Sequence, residues 1–333
     1  AVMYIPAGIL IDRYGARPVL ICSSLLLVVG GVLLPVFPNL LWILACRAII
    51  GFGTGGAFVA GASIAASLGK YTALGQGLYG GSIQIGSGCG LLVTPLLLAH
   101  FGWRGAFLVW GSLGGLALIV WLFVNDGQET HGEERGDVRA GVRSPSVWTL
   151  GLSHMGTFGV GNAIAAWIAV YLAHQYGLPL ALAATLGSLP LLTGVLFRPL
   201  GGFLLGRKLL GAIPLLRMGT IMDGLGLILL ALPWRLPIFA IVGLALIAVG
   251  ATMPYTSVFN EAAHLRRVGK GVAQGLVSII SCPAVILGPP IIGFLFGQTN
   301  SFSPAFGAML FFSIIAITAS LFAGPAVKRE TTW

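Results

Sequence analysis

Ten residues near the start of the chain, Gly8-Ile-Leu-Ile-Asp12-Arg13-Tyr-Gly15-Ala16-Arg17, separate two long apolar stretches. The charges fall between Asp12 and Arg17, and the residues on both sides are almost all apolar. Charge is costly inside a lipid bilayer but is tolerated at a membrane surface. This stretch therefore predicts a tight turn at a membrane surface that joins two membrane-spanning helices.

The composition of the whole chain points to lipid as its solvent. Charged residues make up 8% of the 333 residues and hydrophobic residues 57%, whereas a soluble domain is about one quarter charged. The mean hydropathy is +0.97. The net charge of +9 does not indicate nucleic-acid binding, because the basic residues lie in short loops and form no continuous stripe. The sequence predicts an all-α membrane protein.

Apolar segments of about 20 residues, the length that spans a bilayer, recur along the chain. About eleven are predicted: 1–10, which is incomplete, 18–37, 40–66, 76–99, 104–124, 147–172, 179–205, 212–232, 237–258, 272–297 and 303–324. The one sustained charged stretch, 125–146, is interpreted as a cytoplasmic linker. It divides an N-terminal half, 1–124, from a C-terminal half, 147–333.

The basic residues predict the orientation, because Lys and Arg accumulate in cytoplasmic loops. One set of alternate loops carries fourteen of them, against two, Arg104 and Arg235, in the other set. The fourteen are Arg13, Arg17, Lys70, Arg135, Arg139, Arg143, Arg207, Lys208, Arg217, Arg266, Arg267, Lys270, Lys328 and Arg329. We expect a plasma (inner) membrane protein with a cytoplasmic C-terminus. The odd number of spans suggests that a first helix is missing.

Internal repeats support two parallel halves. Gly8-x-x-x-Asp12 recurs as Gly202-x-x-x-Gly206, Gln76-Gly77-Leu78 as Gln274-Gly275-Leu276, and Ala106-Phe107 as Ala305-Phe306. The offsets between these pairs are nearly equal. Two parallel halves around a site near the midplane are one architecture of secondary transporters.

At these residues the chain resembles the major facilitator superfamily. That family has twelve helices in two six-helix halves and the loop signature G-x-L-x-D-R-x-G-R-R after its second helix. Residues 8–17 match this signature except at Ala16. Arg47 with Gly51 and Gly53, and Gly102-Trp103-Arg104-x-x-Phe107, are similar to its fourth helix and to the entry of its sixth. The resemblance covers the chain and implies that the first helix is absent.

A narrower resemblance is to nitrate/nitrite porters. Arg198-Pro199-Leu200-Gly201-Gly202 is similar to their eighth helix, where the Arg binds the anion. Gly77-x-x-Gly80-Gly81-x-x-Gln84-x-Gly86 is similar to their glycine-rich fifth helix, with Gln84 in place of the usual Asn. Tyr4 stands where these porters have a second Arg, which departs from a two-Arg clamp.

The charged turn also predicts a conformational latch. Gly8, Asp12, Arg13, Gly15 and Arg17 lie at one helix end and the following turn, where opposite charges can pair and favour one global state. The alternative is a topogenic loop, but positive-inside topology does not require Asp12. In the second half, Arg207 and Lys208 are expected to meet Glu261; the alternative is that Glu261 is a solvated acid in a basic loop.

Three ionisable residues fall inside predicted spans. Arg47, Arg198 and Asp223 are costly at such depths, so they are expected to face a cavity. Arg47 and Arg198 can bind substrate, since a guanidinium suits an oxyanion, or they can extend to the membrane surface. Asp223 is the candidate for coupling, either by carrying a proton or by pairing with an Arg.

Polar and aromatic side chains at similar depth are candidates for the cavity lining. Gln84, Asn162, His154 and Tyr255 are expected to contact substrate, with helix packing as the alternative for each. No cofactor or metal site is predicted, because the four Cys and five His are scattered and no nucleotide, zinc or nucleophile motif occurs.

These observations predict a monomeric secondary active transporter in the lipid bilayer that moves a small solute, a small anion, by alternating access. Proton co-transport is left open. The alternative is an uncoupled facilitator or a transporter-like sensor on the same scaffold. A membrane-embedded enzyme is disfavoured because no catalytic constellation is recognisable.

Overall fold

The computed structural model of the chain describes residues 2–124, 136–233, 236–265 and 268–331. Its regular secondary structure over these residues is helical, as backbone groups in lipid require, and the predicted all-α class is confirmed. The α-helices of the described residues are α1 (Tyr4–Tyr14), α2 (Ala16–Leu33), α3 (Leu40–Ala66), α4 (Thr72–Phe123), α5 (Val138–Arg143), α6 (Pro145–His154), α7 (Gly161–Tyr176), α8 (Leu180–Gly206), α9 (Ala212–Ala231), α10 (Pro237–Thr252), α11 (Tyr255–Ala263), α12 (Lys270–Thr299) and α13 (Phe302–Thr331).

Within the described residues, nine helical stretches are long and apolar enough to cross a membrane, against the eleven expected. The predicted span 1–10 corresponds to α1, whose 11 residues are too short for a bilayer core of about 30 Å. The predicted span 76–99 lies in the first part of α4, which is rich in glycine and polar side chains. The other predicted spans agree with helices in the structure to within a few residues, apart from differences at their ends.

Gly102 divides the long helix α4 into two limbs. A straight helix of 52 residues would be about 78 Å long, more than twice the thickness of the hydrocarbon core. Gly102 has a φ of 63°, a conformation that glycine adopts without a steric penalty, so the chain changes direction there. The first limb packs on α8 and the second on α2.

Helix starts and stops follow local chemistry. Gly15, with φ at 85°, forms the turn between α1 and α2 inside the charged motif. Asn39 caps α3 by accepting a hydrogen bond from the backbone N–H of Leu41 at 2.9 Å. Ser144 caps α6 in the same way through the N–H of Val147, and Pro145 occupies the first helical position.

Close helix contacts depend on small residues. A Cβ added to Gly31 would lie 2.8 Å from the Cα of Gly111, and one on Gly226 would lie 2.5 Å from the carbonyl oxygen of Gly243. Such approaches are typical of membrane helices. The glycines of α3 and α4 differ in their surroundings. Gly55, Gly77 and Gly81 contact neighbours, whereas nothing lies within 4 Å of a Cβ added to Gly51, Gly86 or Gly90.

The predicted linker is only partly described. Residues 125–135 lie outside the described residues, as do Arg235, Arg266 and Arg267, so the predictions that fall on them stay predictions. The short helix α5 follows, capped by Asp137, and packs on α12, where a Cβ on Gly141 would meet the side chain of Leu276 at 2.3 Å. The predicted division at 124 and 147 stays a prediction.

Candidate functional site

A narrow cavity lies between the first limb of α4 and the helices α7, α8 and α10. The space that it leaves for water-sized molecules is about 30 Å³, so it is tight in the described state. Its walls are mostly apolar, with a few polar groups and no Asp or Glu, a composition typical of sites for small solutes. The lining residues are Gln84, Thr157, Phe158, Gly161, Asn162, Ile164, Ala165, Ile168, Gly187, Pro190, Leu191, Arg198, Leu244, Ile247, Ala248, Ala251 and Thr252.

Arg198 is the charged group of this cavity. Its side chain is 2% exposed. One terminal nitrogen donates a hydrogen bond to the carbonyl oxygen of Gly80 at 2.9 Å, and the guanidinium carbon lies 4.4 Å from the centre of the Tyr255 ring, within cation–π range. The Nε atom is buried and has no hydrogen-bond partner in the protein. A buried cation is thus held without a carboxylate among the lining residues.

The packing of α4 on α8 explains why Arg198 reaches this position. A Cβ on Gly77 would lie 2.6 Å from the carbonyl oxygen of Arg198, and one on Gly80 would lie 2.9 Å from its Cδ. Gly81 faces Pro199 at 3.2 Å in the same way. The glycines of the Gly77-x-x-Gly80-Gly81 motif therefore let α8 come close enough to bury the guanidinium.

Two predicted lining residues, Gln84 and Asn162, are at the cavity. Gln84 on α4 donates to the carbonyl oxygen of Leu191 on α8 at 3.2 Å. Asn162 on α7 donates to the carbonyl oxygen of Phe158 at 2.6 Å. Each side-chain amide thus lines the cavity and donates one hydrogen bond to the carbonyl oxygen of a helix residue. The structure brings both residues together with Arg198.

A π-helix at residues 155–160 adds cavity residues that the sequence did not reveal. It joins α6 to α7, and its wider turn places Thr157 and Phe158 in the wall. Such irregular turns are frequent at functional sites. Thr252, near the end of α10, is a further missed residue. A side-chain hydroxyl in an apolar helix carries no sequence signal that separates lining from packing.

His154 and Tyr255 lie behind the cavity wall, not in it. His154 is 1% exposed and stacks on Phe158, with 5.1 Å between the ring centres. Its Nε2 atom and the hydroxyl of Tyr255 are buried without hydrogen-bond partners. Tyr255 contacts Phe259 at 4.6 Å between ring centres. These two predicted residues support Arg198 and Phe158 from behind.

Arg47 and Asp223 are not brought to the cavity. Arg47 on α3 is exposed and lies over the ring of Phe107 at 5.5 Å. Asp223 on α9 is fully buried, and neither carboxyl oxygen has a hydrogen-bond partner. The prediction that Arg47 contacts substrate therefore gains no support from the geometry.

The end of the bundle that carries Asp12, Arg13 and the start of α12, which we call the basic end, is closed by a helix cap. The two carboxylate oxygens of Asp12 accept hydrogen bonds from the backbone N–H groups of Gly271 at 2.8 Å and Val272 at 3.0 Å. An acidic side chain at a helix N-terminus is favoured by the unpaired N–H groups and the helix dipole. Gly8 packs against the backbone of Gly271, since an added Cβ would lie 2.5 Å from its carbonyl oxygen.

Two glutamines from the repeated motif share one acceptor near this end. The side-chain amides of Gln76 and Gln274 both donate to the carbonyl oxygen of Ala62, at 2.7 Å and 3.3 Å. Both side chains are fully buried. The shared contact joins α3, α4 and α12, which lie far apart in the sequence.

Arg17 and Arg217 make equivalent contacts. Arg17 donates to the carbonyl oxygens of Trp121 and Leu122 at the end of α4. Arg217 donates to those of Ser320 and Leu321 on α13 at 3.1 Å and 2.8 Å. The offset between the two arginines is 200, against 194 for the Gly8 and Gly202 motifs, because the loop between α8 and α9 is longer.

The other predicted latch residues make different contacts. Arg13 lies over the ring of Tyr14, and Arg207 lies over that of Phe203 at 5.5 Å. Glu261 accepts a hydrogen bond from Asn260 at 3.4 Å. The structure does not bring Arg207 and Glu261, both of which it describes, into an ion pair.

The described part of the chain contains no cluster of metal-ligating side chains. No group of three or more His, Cys, Asp or Glu side chains lies close enough together there to hold a metal ion.

Comparison with known proteins places this geometry in a family. Residues 1–282 match the sequence profile of the Major Facilitator Superfamily. The chain is 27% identical over 362 residues to a "probable sulfoacetate transporter", SauU of Cupriavidus necator, covering 99% of the chain and 84% of the relative. It is 25% identical over 323 residues to the nitrite extrusion protein of Bacillus subtilis, covering 93% and 78%. The crystal structure of the E. coli fucose:proton symporter FucP (N162A) has the same fold, with a TM-score of 0.73, 14% identity and coverage of 97% and 87%.

Proposed function

This chain belongs to the Major Facilitator Superfamily, and from that premise we propose that it is a secondary active transporter of a small anion that works by alternating access. The relatives named above transport solutes, and two of them are named for the anions sulfoacetate and nitrite. The cavity beside α8 is the proposed binding site. Arg198 is the residue that carries the proposal.

The buried guanidinium supports an anionic substrate. A charge removed from water is costly unless it is paired, and Arg198 has no acidic partner among the cavity residues. The Nε–H group is left without an acceptor. A carboxylate, sulfonate or nitrite group presents two oxygens that can accept parallel hydrogen bonds from a guanidinium. Gln84 and Asn162 would add weaker polar contacts that orient the anion.

The closure of the basic end supports alternating access. The Asp12 cap, the Gly8–Gly271 contact and the Gln274–Ala62 bond all join α12 to α1 or α3. Each of these contacts can break as a unit if α12 moves away from α1, so the basic end has two discrete arrangements. We propose that the described state is the one closed at this end, and that the predicted latch consists of Asp12 and Gly8 acting on α12.

Topology and domain organisation complete the proposal. We propose a monomer in the plasma (inner) membrane. Its basic end and its C-terminus lie on the cytoplasmic side, because basic residues accumulate there. The matched contacts of Arg17 and Arg217 support two repeated halves, 1–124 and 147–333. An activity reporter fused after residue 333 should be active in the cytoplasm, and periplasmic activity would contradict this orientation.

A further helix in the N-terminal half is also proposed, as the family's twelve-helix plan implies. The outer part of α3 presents Arg47 and Gly51 on an open face, and Gly86 on α4 is exposed as well. Small and charged residues are unusual against lipid, so another helix would pack there. With such a helix in place, Gly86→Cys in a background with Cys22→Ser and Cys89→Ser should be shielded from maleimides, and rapid labelling would count against the helix.

The substrate proposal is tested by transport in proteoliposomes. Uptake of labelled nitrite and of sulfoacetate is measured for the wild type, Arg198→Gln and Arg47→Gln. Loss of a charge-assisted bidentate contact worth about 2–3 kcal/mol should raise KM roughly 30- to 150-fold in Arg198→Gln. Arg47→Gln is the matched control and should retain the wild-type KM, because Arg47 lies outside the cavity.

Equal KM values for the wild type and Arg198→Gln would overturn the assignment of the site. An imposed pH gradient then separates the two functional alternatives. A secondary active transporter accumulates the anion against its gradient, whereas an uncoupled facilitator only equilibrates it. A sensor on the same scaffold would show no uptake of any solute.

A further inference from the structure

Asp223 is a buried acidic residue that does not line the cavity. It lies in the middle of α9, its side chain is fully buried, and both carboxyl oxygens lack a hydrogen-bond partner. An ionised carboxylate in such surroundings would be strongly unfavourable. An ionisable residue within the membrane is a functional-site hypothesis by default.

Among the residues that the structure describes, no nearby charge offers Asp223 a permanent partner. On α9 itself, Arg217 lies six residues before Asp223, about 9 Å along the helix axis. Its guanidinium donates hydrogen bonds to the carbonyl oxygens of Ser320 and Leu321. The helix α10 has no ionisable residue. The remaining titratable groups on helices that pack near α9 are His154 on α6, Tyr255 and Glu261 on α11, and Lys328, Arg329 and Glu330 in the last turn of α13.

The backbone of α10 links Asp223 to the cavity. A Cβ on Gly250 would lie 2.6 Å from the backbone nitrogen of Asp223, so the two helices touch at this residue. Ala251 and Thr252, the next residues along, line the cavity. A shift of α10 that widens or narrows the cavity therefore also changes the packing around Asp223.

The end of α10 is a place where such a shift can occur. The helix stops at Thr252, and α11 restarts at Tyr255. Pro254 between them packs against Gly219, one turn before Asp223 on α9. Proline cannot donate a backbone hydrogen bond, so the break between the two helices is built into the chain.

We propose that Asp223 is the proton-binding site that couples transport to the proton gradient. In the described state the carboxyl is protonated and shut away from water. When α10 moves with the cavity, Asp223 gains access to water and releases its proton. One proton bound and one released per cycle balances the charge of one monovalent anion. The inference rests on the proposed transport function, but its first test does not.

Infrared spectroscopy tests the proton itself without a substrate. The C=O stretch of a protonated carboxylic acid is recorded over a pH series for the purified wild type, Asp223→Asn and Asp137→Asn in lipid. Asp223→Asn is nearly isosteric and neutral, so it should fold. Asp137, the exposed cap of α5, is the matched control. We expect loss of a protonated band in Asp223→Asn alone; an unchanged band in that variant would overturn the proposal.

Transport then tests coupling, with nitrite and sulfoacetate as probes. Asp223→Asn should keep solute exchange across proteoliposomes but lose accumulation driven by a pH gradient, while Asp137→Asn keeps both. Accumulation equal to the wild type in Asp223→Asn would contradict the coupling role. If the wild type transports neither probe, the proposed function fails for them, and the infrared result still decides whether Asp223 holds a proton.

Discussion

Arg198 shows how much depends on the surroundings of a single residue. The chain places two arginines, Arg47 and Arg198, deep inside predicted spans, and both are equal candidates by cost alone. The structure exposes the first and buries the second between two helices, over the ring of Tyr255. The aromatic face supplies a partner that is not a carboxylate, so the charge of Arg198 stays available to a ligand.

Tyr255 provides a prediction at this scale. Its hydroxyl has no hydrogen-bond partner, so Tyr255→Phe should retain the wild-type KM. Tyr255→Leu removes the aromatic face, and a desolvated cation–π contact of about 2 kcal/mol corresponds to roughly a 30-fold rise in KM for nitrite. A larger effect from Tyr255→Phe than from Tyr255→Leu would show that the hydroxyl, and not the ring, matters.

At the scale of elements, the charged turn acts on a distant helix. Asp12 does not pair with the arginines beside it in the sequence in the way that charge alone suggests. Its carboxylate caps α12, whose first N–H groups have no acceptor within the helix. Glycines at Gly8 and Gly271 bring the two helices close enough for this bond. The motif is thus one half of a contact, and the other half is the N-terminus of α12.

Removing the cap should favour opening at the basic end. Asp12→Asn retains an acceptor oxygen but loses the charge, which at a helix N-terminus is worth about 1 kcal/mol, or roughly a fivefold change in the ratio of closed to open molecules. Spin labels at Tyr14 and His264, which are exposed on either side of the contact, report this ratio as a distance distribution. An unchanged distribution would contradict the latch.

Gly8→Ala should open the basic end more strongly than Asp12→Asn. Its Cβ would lie 2.5 Å from the carbonyl oxygen of Gly271, and backbone atoms cannot move aside as a side chain can. Gly206→Ala is the matched control, because the nearest atom to its Cβ is 3.9 Å away. The same pair of spin labels measures both variants, and equal distance distributions for the two would remove the packing argument.

For the whole molecule, the two arginines at corresponding positions suggest how each half is held together internally. Arg17 binds carbonyl oxygens at the end of α4 and Arg217 binds carbonyl oxygens within α13, each the last helix of its own proposed half. Only Arg17 belongs to a recognisable motif. If the contacts are equivalent, their energies should be similar whatever the sequence around them.

Arg17→Gln and Arg217→Gln should therefore lower the melting temperature by similar amounts. Hydrogen bonds from a charged donor contribute about 1.5–3 kcal/mol when buried, and these partly exposed ones should contribute roughly 1 kcal/mol each. The double variant should show the sum, because the two sites are far apart. Thermal unfolding in detergent measures all three, and a harmless Arg217→Gln beside a destabilising Arg17→Gln would argue against repeated halves.

The sequence alone determined the solvent of this protein and most of its helices. Long apolar runs interrupted by short charged turns leave only helices in lipid, so α3 was predicted with its observed bounds of 40–66. The motif at residues 8–17 and Arg198 were also visible, because charges stand out in an apolar chain.

Only the tertiary structure decided which side chains meet. In lipid, a helix is apolar on nearly every face, so its pattern does not show which face turns inward. The cost of burying a charge did not separate Arg47 from Arg198, and nothing in the sequence placed Thr157 in the cavity wall or put Asp12 on α12. Which side chains meet depends on how closely the glycines let two helices approach each other. The packing of segments that are distant in the sequence sets the separation between those helices.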